Sequence, residues 1–383
     1  MKNIVILGST GSIGVNALKV ISRYPDQFRV VGLTAYNNIH LIEEQVRLFK
    51  PDYVVLSEEG ITHFKQKRIL VDKQILSVFE DLEWLVSLPK VDVVVVAMRG
   101  SAALMPFLAA VRAGKQIAPA NKEALVIAGD LIMAEAKKFG AKIVPIDSEQ
   151  SAIFQCLNGQ KRSELKMVHL TASGGALLKT PKSKFSTMTV KDILAHPRWK
   201  MGRKITVDSA MLMNKGFEVI EAMRLFDLTA DQIKVVIHPE AIIHSMVEYC
   251  DGSVIAQMGI TDMRLPIQYA LTYPDRWPTH LKRLDFCSLQ QLSFCEPDVQ
   301  KFPALSLCCH VAKKGGTLPA VLNSADEEAV EAFLHGKIRF DQIYTTVETV
   351  VSKHKSIKAP KLRDILSADQ WGREATRKVL EKL

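Results

Sequence analysis

Two carboxylates, Asp147 and Glu149, stand two residues apart at the end of an apolar run, Lys142 to Ile146. Side chains at i and i+2 of an extended chain point the same way, so a strand over 142–146 aims both at one point beyond its end. Like charges held that close favour a divalent cation between them. Hard oxygen donors suit Mg²⁺ or Mn²⁺ better than zinc. The same stretch also suits a simpler role, with Asp147 or Ser148 as N-cap of a helix over Ser151–Leu157.

Further stretches carry residue types that do chemistry. Gly8-Ser9-Thr10-Gly11-Ser12-Ile13-Gly14 follows an apolar strand pattern and opens a helix pattern. Glycines there let backbone N–H groups approach a pyrophosphate, and a helix N-terminus favours its charge, so a dinucleotide is expected. The second strand ends at Thr34-Ala35-Tyr36-Asn37-Asn38 without the carboxylate that usually binds the NAD ribose, which favours NADP. Asn121-Lys122-Glu123 begins a helix pattern: Asn121 is a good cap, whereas Lys122 opposes the macrodipole and hints at an anion nearby. Ser173-Gly174-Gly175 is a small-residue turn able to bind an anion through backbone N–H groups. His196-Pro197-Arg198-Trp199-Lys200-Met201-Gly202-Arg203 reads as a loop that closes on a ligand or packs a Trp on the surface. Asn214, Lys215 and Glu218 share a face if their segment is helical, and Asn-Lys-Gly there fits a helix start. His238 and His244 read as structural, because neither has a partner at a ligand spacing.

These residues need elements to hold them. Over 1–146, strands are expected at Ile4–Leu7, Val30–Ala35, Tyr53–Leu56, Val93–Ala97, Gln116–Ala118 and Ile143–Ile146. Helices are expected at Ile13–Arg23, Leu41–Phe49, Ile75–Leu88, Ala103–Arg112 and Lys122–Phe139. Val/Ile-dense strands with intervening helices imply an α/β, Rossmann-like, doubly wound parallel sheet. A central α+β region follows, with a strand at Met167–Ala172 and a hairpin of Ser245–Tyr249 and Ser253–Met258 about Cys250-Asp251-Gly252, a ribbon suited to a dimer seam. Helical periodicity marks Ala304–Lys314, Ala325–His335, Phe340–Lys353 and Ala368–Leu383 as a C-terminal helical domain. The expected domains are 1–147, 148–272 with a mobile loop at 193–203, a linker at 273–298, and 299–383.

Composition narrows the class. In 383 residues, 48% hydrophobic content is enough for a packed core, and no repeat period appears. No run of about 18 apolar residues is present, so neither a membrane span nor a signal peptide is expected. The six cysteines form no C-x-x-C pair and no zinc spacing, which suits a reduced, cytoplasmic protein. The net charge of +9 comes without a basic helix or an aromatic RNP-like strand, so anionic small molecules fit better than nucleic acid.

Taken together, these motifs resemble the 1-deoxy-D-xylulose 5-phosphate reductoisomerase family. The carriers are Gly8–Gly14, Ala120–Glu123, Val144–Glu149, Leu170–Gly175, His196–Gly202 and Val207–Gly216, in the family order. The resemblance implies an NADPH- and Mg²⁺- or Mn²⁺-dependent rearrangement and reduction of 1-deoxy-D-xylulose 5-phosphate to 2-C-methyl-D-erythritol 4-phosphate, by a homodimer. It implies metal ligands at Asp147, Glu149 and Glu218, and Lys122 and Ser148 near the reacting end. Ser173, Ser209, Asn214 and Lys215 match the phosphate end, and His196, Trp199 and Met201 the covering loop. Gly8, Thr10, Gly11, Ser12, Ile13, Asn37, Asn38, Asn121, Glu123 and Gly202 fall at the cofactor, and Lys122, Asp147, Glu149, His196 and Glu218 form the catalytic set.

Three positions depart from the family pattern. Tyr36-Asn37-Asn38 stands where Gly-Lys-Asn is frequent, Gln150 where His is frequent, and Ala124 where Ser is frequent. Two rival readings need other residues. An NADP-dependent aldehyde dehydrogenase of the acyl-transfer kind needs a thiolate beside a His. A non-catalytic NADP-sensing regulator needs the glycine turn but not the three carboxylates.

Overall fold

The computed structural model describes residues 1–67, 74–77, 81–199 and 201–383. By contacts the chain forms two compact units: Met1–Ala124, Ile132–Ser151 and Asp262–Leu281 make the first, and Leu125–Leu131, Ala152–Thr261 and Lys282–Leu383 the second. The expected division had four parts. By contacts, residues 152–261 and 299–383 fall in one unit, and the expected linker divides, 273–281 packing with the first unit. Trp277 accounts for that packing, since its ring stacks on Phe28 at 5.3 Å.

The chain begins with β1 (Lys2–Leu7), α1 (Ser12–Ile21), β2 (Phe28–Ala35), α2 (Ile39–Phe49), β3 (Tyr53–Leu56), α3 (Glu58–Gln66) and β4 (Gln74–Ser77). It continues with α4 (Leu82–Ser87), β5 (Val93–Val96), α5 (Leu104–Arg112), β6 (Gln116–Pro119), α6 (Glu123–Phe139), β7 (Lys142–Ile143) and α7 (Ser148–Leu157). The strands form one parallel sheet in the order β4-β3-β2-β1-β5-β6-β7. Strand order reverses at β1, with β2 on one side and β5 on the other, which opens a crevice at their carboxyl ends. All four valines of β5 are buried, as a sheet covered on both faces requires.

Two expectations are corrected here. Residues 75–77 of the expected helix Ile75–Leu88 lie in β4, and its 78–80 portion lies outside the described residues. A short apolar run does not distinguish strand from helix by period alone. The strand expected over 142–146 pairs in the sheet only at Lys142 and Ile143, although Val144 and Ile146 still donate to Ile117 and Pro119. Helix α7 then starts at Ser148, three residues before the expected Ser151, so Glu149 lies in a first helical turn and not in an extended chain.

The second unit contains β8 (Leu165–Ala172), α8 (Val190–Ile193), α9 (Arg203–Ala210), α10 (Met213–Leu225), β9 (Ile233–Ile237), β10 (Ile243–Tyr249) and β11 (Val254–Met258). Next, α11 (Arg264–Thr272) returns to the first unit and packs on α1. The chain ends with α12 (Phe286–Leu289), α13 (Pro303–Lys314), α14 (Leu318–Leu334), α15 (Phe340–Lys353) and α16 (Leu362–Leu380). The sheet order is β11-β10-β8-β9, antiparallel except between β8 and β9. Helix α14 is the hub of the helical part, lying against α9, α13, α15 and α16. Its Val321, Leu322, Ala325, Ala329 and Val330 are fully buried. Among the described residues no helix is long and apolar enough to cross a membrane. All six cysteines are free.

Gly14, in the first turn of α1, sets a tight packing limit. A Cβ there would lie 2.4 Å from the Gly8 carbonyl oxygen and 2.5 Å from Ser9 Cα, both backbone atoms. Gly14→Ala is therefore expected to destabilise the fold by about 1–3 kcal/mol, the usual range for overpacking. Urea unfolding checks this, and an unchanged midpoint would mean that the turn relaxes freely.

Candidate active site

In the first unit, the glycine-rich turn joins β1 to α1. Gly8 takes φ +82°, and a Cβ on it would meet the Ala97 carbonyl oxygen at 2.7 Å. The Gly8 N–H donates to Thr34 Oγ1 at 2.8 Å, and Ser9 Oγ donates to Gln45 at 2.7 Å, so the turn is tied to β2 and α2. Gly11 is the N-cap of α1 and has no side-chain cap. The N–H groups of the Ser12-Ile13-Gly14 turn are therefore left for an anion. Thr10 and Ile13 are half-buried beside it and Ser12 is exposed. At the end of β2, Asn38 Oδ1 accepts from Leu41 N–H and caps α2, while Asn37 is exposed.

The end of β6 presents Asn121, Lys122 and Glu123. Asn121 donates to the carbonyls of Met98 and Gly100 and accepts from Ala124 N–H at 2.9 Å. Its side chain braces two loops and caps α6. Buried Lys122 forms an ion pair of 2.6 Å with Asp147, also buried. Asp147 Oδ1 accepts from Glu149 N–H at 3.2 Å, and Ser148 Oγ donates to Glu149 Oε2 at 2.9 Å. The capping role and the convergence of two carboxylates thus coexist: each offers an oxygen within 4.8 Å of the other. A helix entry brings them together, not the alternation of a strand.

The second unit holds the remaining residues. Gly174 and Gly175 have φ +86° and +68°, and a Cβ on Gly175 would lie 2.3 Å from the Ser209 carbonyl oxygen. This close approach sets the Ser173 turn against Ser209 of α9. His196 Nδ1 accepts from the N–H groups of Arg198 and Trp199, at 3.2 and 2.9 Å. The proton therefore sits on Nε2, which faces Ser173 Oγ at 3.1 Å and donates to it. Burial pushes the His196 pKa down, which favours this neutral form. Residues 194–202 join α8 to α9; Arg198 Nε donates to the Pro239 carbonyl, and the Trp199 ring lies 6.1 Å from that of His244. Met201 and Gly202 are half-buried, Gly202 being the N-cap of α9, and Lys200 lies outside the described residues.

Helix α10 starts at Met213 after Leu212, whose φ of +62° is uncommon for a branched side chain. That break lets Asn214, Lys215 and Glu218 occupy the first turns. Asn214 Nδ2 donates to Glu218 Oε1 at 2.6 Å, and Lys215 pairs with Glu218 Oε2. Lys215 and Glu218 are buried. Asn214 Oδ1 is buried without a partner among the described residues. Glu221, one turn further, is equally buried and went unnoticed in the sequence. Its i,i+3 spacing from Glu218 was the available signal, but acidic pairs at that spacing usually face solvent.

Comparison with known proteins agrees with these motifs. The family model described as 1-deoxy-D-xylulose 5-phosphate reductoisomerase matches residues 4–129, and models of C-terminal domains of that enzyme match 143–226 and 258–375. The reductoisomerase of Pelotomaculum thermopropionicum is 50% identical over 392 residues, with 100% of both chains covered. The chain belongs to the 1-deoxy-D-xylulose 5-phosphate reductoisomerase family. The reductoisomerase of Caldanaerobacter subterraneus is 49% identical, covering 98% of each chain. A solved reductoisomerase in complex with NADPH, fosmidomycin and magnesium superposes with a TM-score of 0.94 at 40% identity, covering 100% of this chain and 98% of the other. The Zymomonas mobilis reductoisomerase in complex with NADPH superposes with a TM-score of 0.92 at 36% identity, covering 100% of both.

His244, beneath Trp199, has its pKa lowered from 6.5 to about 4, first by burial, with the charges of Lys215 and His238 adding to it. In this window the unfolded chain binds the proton and the folded protein does not, so stability rises with pH. The folded state is penalised as pH falls below the unfolded value, and the penalty levels off below the folded one. The His244→Gln variant is expected to lose this component, about 3 kcal/mol of the stability change across that window. Urea unfolding of both proteins at several pH values measures it; parallel curves would show that His244 does not carry the dependence.

Proposed function

We propose that the protein converts 1-deoxy-D-xylulose 5-phosphate to 2-C-methyl-D-erythritol 4-phosphate, oxidising NADPH and requiring a divalent cation. The observation that carries this reading is the full-length match to the reductoisomerase family, 50% identity over both entire chains. A solved relative binds NADPH and magnesium together. The residues present fit both groups. Gly8 and Gly14 let the turn pack tightly against backbone where a Cβ would clash, and α1 lacks a side-chain cap, which leaves its first N–H groups for a pyrophosphate. Asp147 and Glu149 are hard oxygen donors within 4.8 Å of each other, and Glu218 is a buried carboxylate in the second unit. We assign all three to one Mg²⁺ or Mn²⁺ ion.

When bound, the ion polarises the substrate carbonyl and NADPH supplies the hydride. The chain's own residues bind and orient. Lys215 offers a buried charge to the phosphate, and Ser173, Ser209, Asn214 and the Nε2–H of His196 offer neutral donors. The remote phosphate then fixes the position of the reacting carbons. Lys122, Ser148 and Glu149 hold the reacting end. Trp199 and Met201, on the 193–203 loop, cover it and keep water from a reactive intermediate. Thr10, Gly11, Ser12, Ile13, Asn37, Asn38, Asn121, Glu123 and Gly202 belong to the cofactor side. Residues 1–147 act as the cofactor domain, 148–272 as the catalytic and dimer-forming domain, and 299–383 as the helical domain.

The two rivals fare worse. An acyl-transfer dehydrogenase needs a reactive thiolate, whereas Cys156 is buried on α7 and burial holds the Cys308 thiol well above its usual range. A regulator without catalysis has no use for buried carboxylates paired with lysines. A cytoplasmic homodimer is the expected form. Its support is β11, an edge strand whose Val254 and Ile255 are 50% and 38% exposed. Sedimentation velocity is expected to give a dimer mass; a monomer at all concentrations would end the dimer assignment.

Loss of a metal carboxylate provides the decisive test. Asp147→Asn and Glu218→Gln are each expected to lower turnover by more than the roughly 10–100-fold typical of losing a supporting partner. NADPH affinity should stay within about twofold, because the glycine turn is untouched. Substrate-dependent NADPH oxidation at limiting Mg²⁺ reads the first quantity and fluorescence titration the second. Wild-type turnover in either variant would remove that residue from the ligand set.

A further inference from the structure

Away from the residues assigned above, helices α2 and α3 bring two imidazoles and a carboxylate together. His40 and Glu43 are three residues apart on α2 and so share a face. His63 comes from α3. His63 Nε2 lies 3.0 Å from Glu43 Oε2, and the His40 and His63 rings meet edge to face at 5.7 Å. One donor atom from each of the three residues lies within 4.8 Å of the other two. All three belong to the first unit and none has a role in the reaction proposed above.

We propose that His40, Glu43 and His63 form a second metal site, selective for a transition-metal cation of the zinc class and separate from the Mg²⁺ or Mn²⁺ site. The donor chemistry decides the class. Two neutral imidazoles with one carboxylate suit Zn²⁺ and its borderline neighbours, whereas the Asp147 set offers oxygen alone. The spacing fits as well. Metal–ligand bonds of about 2.0–2.1 Å place tetrahedral donors roughly 3.4 Å apart. The 3.0 Å His63–Glu43 contact lies near that value, and all three donors lie within 4.8 Å of one another, close enough to share one ion.

The surroundings prepare the carboxylate. The Glu43 carboxyl is held down to about 2, first by the bond from His63 and then by Arg47, so it is ionised. Arg47 engages Oε1 at 2.8 Å and orients the group, as an outer partner does for a metal ligand. Lys67 approaches Oε2 at 3.3 Å, but its side chain is half exposed and is free to swing out when a cation takes that oxygen. His40 is exposed, which leaves the outer face open for water as the fourth ligand. A bound ion would staple α2 to α3. Helix α2 also carries Gln45, which donates to the Ser9 carbonyl at 2.9 Å, so the staple stiffens an element that supports the glycine-rich turn.

Cobalt is the probe, because Co²⁺ occupies zinc sites and reports its ligands by visible absorption. Full-length protein stripped with chelator is titrated with Co²⁺ at neutral pH. Two equivalents per chain are expected, of which one is displaced by Zn²⁺ and survives in Asp147→Asn. That equivalent should disappear in His63→Asn and in His40→Asn, while the other persists. Added Zn²⁺ should raise the melting temperature of wild-type and Asp147→Asn protein but not of the histidine variants. Because His40 is exposed, its variant separates loss of metal from loss of folding. The inference is overturned if the histidine variants bind Co²⁺ with wild-type stoichiometry and spectrum, or if the second equivalent binds only at millimolar metal. Neither result touches the reductoisomerase reading, which rests on other residues.

Discussion

Burying a carboxylate is expensive unless a cation and hydrogen bonds accompany it, and this constraint shapes the candidate site. Asp147 is paired with Lys122 at 2.6 Å, and Glu218 with Lys215, all four being buried. Removing one partner of such a pair leaves an uncompensated charge, typically a loss of about 3–5 kcal/mol. Each lysine is therefore necessary to the fold. The pairing also explains an oddity of α6, whose N-terminus carries a lysine that the helix dipole disfavours. Asp147, at the end of the neighbouring chain segment, is the anion that holds it there.

Close backbone approach is the second constraint, and it recurs at both glycine turns. Gly8 and Gly14 bring the β1–α1 turn against backbone of its own chain, and Gly175 brings the Ser173 turn against Ser209. No side chain larger than hydrogen fits at these points, so each turn packs backbone directly against backbone. The break at Leu212 works in the same direction. Its left-handed conformation costs about 1–2 kcal/mol and ends α9 so that α10 restarts with Asn214 and Lys215 in its first turn. Strain of this kind persists where the surrounding packing determines the backbone.

Histidine protonation is settled by neighbours in the same way. The N–H groups of Arg198 and Trp199 occupy His196 Nδ1, which leaves Nε2 as the donor. His238, expected to be structural, uses Nε2 to accept from Ile242 and Ile243 and faces the Ser293 carbonyl with Nδ1. His244, also expected to be structural, is buried beneath Trp199 and kept neutral. The three histidines thus differ in what their ring nitrogens bond because they differ in what surrounds them, not in chemistry.

Much of this protein was legible in residue order. The strand–turn–helix context of Gly8–Gly14, the Val/Ile strands and the grouped motifs are local patterns, and local patterns follow from steric and periodic rules along the chain. They sufficed for the parallel sheet, the family resemblance and the glycine-rich turn that opens α1. Residue order did not show that Ser148 already lies in a helix, that 75–77 form an edge strand, or that Trp277 binds the expected linker to the first unit. Each depends on a partner distant in sequence: β6 for the segment before Ser148, β3 for residues 74–77, and Phe28 for Trp277. The His40–Glu43–His63 cluster was hidden for the same reason. Its third member comes from another helix, and only packing of α2 and α3 after adjacent parallel strands brings it into reach.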